Sequence, residues 1–108
     1  MSQAVELHVK IVRFVLDHQP PIVGCEVVDA DGKRHTFIDK VRIFIAQTLD
    51  AASEYPQAGV VRCVAMNWWC DEQGRELVRI NTADPDSVES TEGLSEFVVR
   101  QTQITLAS

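Results

Sequence analysis

Apolar and polar residues alternate along this chain in short runs separated by turn-forming residues. In "AVELHVKI" (4–11), Val5, Leu7, Val9 and Ile11 fall on one face, and Glu6, His8 and Lys10 fall on the other. A period of two predicts a half-buried strand. Beyond Ile11 the phase slips by one residue, and Val12, Phe14 and Leu16 carry the apolar positions. Such a slip predicts a bulge or a bend, as where a strand turns a barrel corner. "DHQPP" (17–21) stops the run, because proline cannot donate to a ladder.

"IVGCEVV" (22–28) reads as a second strand, "DADG" (29–32) as a turn and "KRHTFI" (33–38) as the return strand. "VRIFIA" (41–46) is β-branched and is expected to be extended. "QTLDAASEYPQAG" (47–59) is the one long stretch without strand pattern, with room for a helical turn near 50–54 ended by Tyr55-Pro56. "VVRCVAMNWW" (60–69) is a long strand, "DEQG" (71–74) a turn and "RELVRI" (75–80) its return. "NTADPD" (81–86) is a loop. "SVES" (87–90) and "LSEFVVRQTQI" (94–104) around "TEG" predict a third hairpin. No amphipathic helix of useful length occurs. The expected fold is all-β: a single domain over 1–108, a small six- to seven-stranded antiparallel barrel built from hairpins.

Trp68 and Trp69, the only two tryptophans, are adjacent and therefore face opposite sides of a regular strand. A three-residue loop, Glu72-Gln73-Gly74, pairs Asp71 with Arg75, Trp69 with Leu77, Trp68 with Val78 and Met66 with Ile80. One face then holds Val64, Met66, Trp68, Val78 and Ile80 and reads as core. The other holds Asn67, Trp69, Arg75, Leu77 and Arg79. Trp69 is either covered by the 47–59 segment or the C-terminal segment, or it faces a partner. Interfaces favour Trp, Met and Arg, and the second reading makes these five residues the candidate contact surface.

Composition narrows the functions. At 108 residues and 12.1 kDa, with 45% hydrophobic and 24% charged residues, the chain is expected to be globular. The net charge of −6 and pI near 4.9 make it a poor partner for phosphate backbones and anionic membranes. No apolar run reaches a membrane span, and "MSQAVELHVKIV" lacks the pattern of a secretory signal. Three cysteines at irregular spacing suit a reducing cytoplasm better than a disulfide framework.

Motifs for catalysis are sparse. Cys63 and Cys70 are too far apart for a zinc pair, and His8, His18 and His35 are scattered, so no metal site or cofactor is expected. A thiol nucleophile would pair Cys25 or Cys70 with His35. With Ala30-Asp31-Gly32 as a three-residue loop, Cys25 opposes Phe37 and shares a face with His35. With a two-residue loop, His35 points away. Asp71 and Glu72 beside Cys70 oppose thiolate formation. The carboxylates Asp84, Asp86, Glu89, Glu92 and Glu96 read as a solvated surface. Trp69 with Arg75 and Arg79 also fits single-stranded nucleic-acid binding, where bases stack on aromatic rings in a basic groove, against the acidic balance.

The strand order resembles the small antiparallel barrel that forms the second domain of translation elongation factors, across most of the chain. The phrases "VDADGKRHTFIDKV", "YPQAGVVRC" and "VESTEGLSEFVV" are similar to those of small bacterial all-β proteins of no assigned activity. Both resemblances imply a fold and no site residues. The resulting expectation is a cytoplasmic binding or interaction module, recognising a protein partner or a second copy. A small thiol enzyme or hydrolase and a single-stranded nucleic-acid binder are the alternatives.

Overall fold

A computed structural model describes residues 2–17 and 19–107, so His18 lies outside the described residues. Seven antiparallel strands form a curled half-barrel: β1 (Gln3–Leu16), β2 (Ile22–Val28), β3 (Arg34–Lys40), β4 (Gln57–Cys70), β5 (Glu76–Asn81), β6 (Glu96–Arg100) and β7 (Ile104–Leu106). A one-turn helix, α1 (Val41–Phe44), follows β3, and a 3-10 turn, Gln101–Gln103, precedes β7. The sheet runs β3-β2-β1-β4-β5-β6, and β7 joins β1.

β1 organises the sheet. One edge pairs with β4 from Gln3↔Ala65 to Ile11↔Gln57. The other edge is shared: Val5 to Leu7 pair with β7, and Lys10 to Leu16 pair with β2. The phase slip in the sequence becomes two register shifts against β2, between Ile11 and Arg13 and between Phe14 and Leu16. They bend the strand where the sheet must curl. The core takes the predicted face, with Val5, Leu7, Val9 and Ile11 meeting Val23, Cys25, Phe37, Val61, Val78, Ile80 and Val99.

Three turns share one local device. Asp29, Asp71 and Ser90 each start a five-residue turn with glycine fourth, at Gly32, Gly74 and Gly93, all with φ near +80°. At such φ glycine escapes the Cβ clash that penalises other residues. A side-chain oxygen of the first residue accepts N–H groups two and four residues on: Asp31 and Lys33, Gln73 and Arg75, Glu92 and Leu94. The first two turns have the three-residue loop, with Val27 opposite His35, Cys25 opposite Phe37 and Cys70 opposite Glu76.

Two segments depart from the sequence pattern. Residues 41–46 were expected to be extended and 50–54 to hold the helical turn, but the helix is at Val41–Phe44. The i, i+3 spacing of Val41 and Phe44 buries both, and Val41 N–H donates to Pro21 O at 3.0 Å. Burial has overridden β propensity, and Asp50–Ser53 is a non-helical turn closed by Ser53 N–H to Asp50 O. Nor is 87–90 a strand: β5 pairs directly with β6, and residues 82–95 form an excursion. Buried Thr82 holds it, its hydroxyl 2.7 Å from Val88 O and 3.2 Å from Ser95 O.

β3 and β6, at the two ends of the sheet order, approach each other without a ladder. Ala30 N–H donates to Val98 O, and Thr91 N–H donates to Thr36 O. Phe97 packs edge-on against Phe37 and His35, with ring centroids 5.6 and 4.7 Å away. His35 is 4% exposed, its Nε2 lies 2.8 Å from Asp29 Oδ2, and its Nδ1 has no partner. That arrangement fits an Nε2–H donating to the carboxylate. Burial pushes the Asp29 carboxyl upward, but the bonds from His35 and from Lys33 and Asp31 N–H outweigh it and hold it below the usual carboxylate range.

Candidate interaction site at the end of the β4–β5 hairpin

β4 and β1 are both 14 residues long and are offset. β1 begins at Gln3 opposite Ala65, while β4 runs on to Cys70, so residues 67–70 continue past it paired with β5 alone, and β5 in turn pairs with β6 from Leu77 to Asn81. The molecule's extents of 45 × 26 × 25 Å match one such strand laid end to end, about 46 Å at about 3.3 Å per residue.

The predicted pairs at the tip are present: Trp69 opposite Leu77 and Trp68 opposite Val78. Farther along, Met66 does not oppose Ile80. A bulge leaves Met66 unpaired, so Ala65 meets Ile80 and Asn67 meets Arg79. The core face of β4 therefore reads Val61, Cys63, Ala65 and then Trp68. Val64 and Met66, expected in the core, are half-buried and exposed. Trp68 has the predicted facing but is not sealed: it is 42% exposed, and Met66 is 40% exposed. The reason is the overhang, because at this end no β1 residue lies beside β4.

The five predicted surface residues divide into two groups. Asn67 is exposed, and Trp69 and Arg79 are half-buried on the outer face. Arg79 has no carboxylate within ion-pair distance among the described residues. Leu77 is only 4% exposed, and its carbonyl accepts from Gln101 Nε2, so it forms a floor and not a contact. Arg75 is committed internally. Its Nε donates to Asp71 Oδ2 at 2.7 Å, and its Nη1 donates to Ala30 O at 2.8 Å and approaches Asp31 Oδ1. It thereby ties the second turn to the first. The Arg75 backbone N–H, joined by its guanidinium and by Gln73 N–H, holds the Asp71 carboxyl below the usual range against the push of burial. Trp68 and Met66 were missed as surface residues because a bulge and a strand overhang leave no mark on local pattern.

The thiol candidates are dispersed. Cys25 and His35 share the inner face, as the three-residue loop requires, but His35 bonds Asp29 instead. Cys25 is fully buried, and burial, with Asp39 nearby, pushes its thiol up to about 12. Burial likewise raises Cys63 to about 11. Cys70 is exposed at the end of β4, and all three cysteines are free. Among the described residues no three His, Cys, Asp or Glu side chains are grouped to hold a metal ion, and no helix is long and apolar enough to cross a membrane. Of the acidic cluster, Asp86 is held by Arg62 through two hydrogen bonds.

One concavity, of about 330 Å³, lies where β1's partner changes from β7 to β2, between His8, Lys10, Glu26, Arg34 and Gln103. It is open and of mixed charge, and Arg34 and Glu26 face each other across it at 3.7 Å.

Comparison with protein-family models, with curated proteins and with solved structures gives no match. The likeness to the second domain of elongation factors therefore stops at an all-β antiparallel half-barrel.

Proposed function

We propose that this protein is a non-catalytic binding module that engages a protein partner through the end of its β4–β5 hairpin. The observation that carries the reading is the overhang itself. In a chain with two tryptophans, both sit where β4 runs past the described start of β1 and keeps a strand neighbour on one side only, with Trp68 and Met66 about two-fifths exposed. Adjacent exposed apolar side chains on a small acidic domain are what a contact surface requires, and Trp and Met are enriched at interfaces. Asn67, Trp69 and Arg79 supply the outer face, while Leu77 and Arg75 support it from beneath. Free cysteines suit a cytoplasmic location.

The thiol-enzyme and nucleic-acid alternatives draw no comparable support. Two thiols are buried and raised, and Arg75, one of the two cations that would face a nucleic acid, is occupied by Asp71. The test is Trp69→Ala. Association, measured by sedimentation and by capture of the partner, is expected to weaken about tenfold or more, as for an interfacial tryptophan, while the melting temperature changes by only a few degrees. A fall of many degrees with association unchanged would make Trp69 a packing residue and remove the outer face from the proposal.

A further inference from the structure

The concavity between β7 and β2 is a gap built into the sheet. His8 and Val9 pair with Val60 and Gly59 of β4, but on their other side β7 reaches only to Leu7 and β2 begins only at Lys10. Both strands are turned away within the chain, β2 by the Asp29 turn and β7 by the 3-10 turn before it. Gln103 closes the wedge. Its Nε2 donates to Val28 O at 2.8 Å, and its Oε1 accepts from Arg100 N–H at 2.8 Å, so one side-chain amide is pinned at both ends. The space of about 330 Å³ lies at the small end of ligand pockets, which run from about 300 to 1,000 Å³.

Charge sets this gap apart from the rest of the surface. From His8 onward, the outward-facing positions of β1, β2 and β3 carry Lys10, Arg13, Arg34 and Lys40 against Glu26 alone, in a chain of net charge −6. Arg13 lies along the sheet over Gly24, where a Cβ would come 3.3 Å from its Cγ and Nε. Elsewhere arginines are committed to carboxylates, Arg62 to Asp86 and Arg75 to Asp71. Lys10 has no carboxylate within ion-pair distance among the described residues, although Glu26 stands opposite it in the ladder. Glu26 instead faces Arg34, whose Nε is 3.7 Å from it, too far for a hydrogen bond. We propose that the gap binds a small oxyanion of charge two or more, a carboxylate or phosphate compound. The Arg34 fork matches the edge of one oxyanion group in a pair of bonds, and the Lys10 ammonium supplies the second charge. A small ligand suits the field better than a long polyanion. Charges beyond a Debye length, about 10 Å at 0.1 M salt, are screened, so a small anion meets only the local cations. An extended one would also lie against the acidic remainder. Lys10 opposes Ala58, at the other end of β4 from the tryptophans, so this site stands whether or not the hairpin end binds a protein.

The experiment is a titration of the full chain, followed by nitrogen–proton correlation spectra at low ionic strength, with sodium pyrophosphate in one arm and citrate in the other. Saturable shifts are expected at the amides of His8, Val9, Lys10, Val28 and Arg34 in at least one arm, with a dissociation constant of about 1 mM or below. The tighter arm identifies the group as phosphate or carboxylate. Lys10→Gln is expected to weaken that arm about tenfold, as loss of a charge-assisted bond does. Arg34→Gln should do the same. Both side chains are exposed, so both variants are expected to keep the wild-type spectrum away from the gap. Arg79→Gln removes an equally unpaired cation outside the concavity and is expected to leave the affinity unchanged. Absence of saturation in both arms, saturable shifts centred elsewhere, or equal weakening by Lys10→Gln and Arg79→Gln would overturn the site. Binding of hexaglutamate or an oligothymidylate in place of both small anions, weakened by Lys10→Gln, would assign the face to a macromolecule and overturn the small ligand.

Discussion

Asp29→Ala tests the junction where the first turn meets the seam between β3 and β6. The substitution removes three bonds. Two are to the N–H groups of Asp31 and Lys33, which are exposed and regain water. Each such loss costs at most about 0.5–1.5 kcal/mol net. The third leaves His35 Nε2 without a partner in a site 4% exposed, where Nδ1 already has none. An orphaned buried donor costs about 1–3 kcal/mol. The expected loss is therefore about 2–4 kcal/mol, or very roughly 8–16 °C at about 4 °C per kcal/mol for a domain near this size. His35→Phe keeps the ring against Phe97 while removing both nitrogens. In the double variant the orphan no longer exists, so the two changes are expected to be non-additive by about 1 kcal/mol or more. The pH dependence has a definite sign. Because the folded carboxyl titrates below its unfolded value of about 3.9, its stabilisation is complete above that value and is lost as pH falls through the folded one. Urea titrations should show the gap between wild type and Asp29→Ala shrinking in acid. A gap below about 0.5 kcal/mol at neutral pH, strict additivity with His35→Phe, or a gap unchanged in acid would refute the assignment.

Two further outcomes follow from packing. Gly59→Ala puts a Cβ 3.0 Å from both Phe44 O and Ile11 Cδ1. It should cost about 1–3 kcal/mol, as overpacking does, and an unchanged denaturation midpoint would mean that α1 does not press on β4. Iodoacetamide at neutral pH should label Cys70 in the native protein and leave Cys25 and Cys63 intact until unfolding. Fast native labelling of Cys25, read by mass spectrometry, would revive the thiol-enzyme alternative.

The architecture was legible wherever physical cause and sequence lie close together. Period-two runs revealed β1, β2 and β4, and the slipped phase after Ile11 marked the register shifts. Asp-x-x-Gly marked two turns, because the same five residues supply both the acceptor and the left-handed position. Where the cause is distant, the reading failed. Val41–Phe44 is helical because Pro21 and the core claim it, and neither is visible in "VRIFIA". Residues 87–90 fold around Thr82, whose hydroxyl matters only once it is buried. At the candidate site, the pairing of Trp69 with Leu77 could be worked out from the turn. The exposure of Trp68 could not, since it follows from where β1 happens to start, 65 residues earlier.

Arg75 gives this end of the hairpin a mechanical character. By holding Asp71 on its own turn and Ala30 on the neighbouring one, it braces the second turn against the first, just beyond the point where β6 stops pairing with β5. A surface braced in this way surrenders little conformational freedom when it docks, so recognition there would proceed by rigid fit, without folding upon contact.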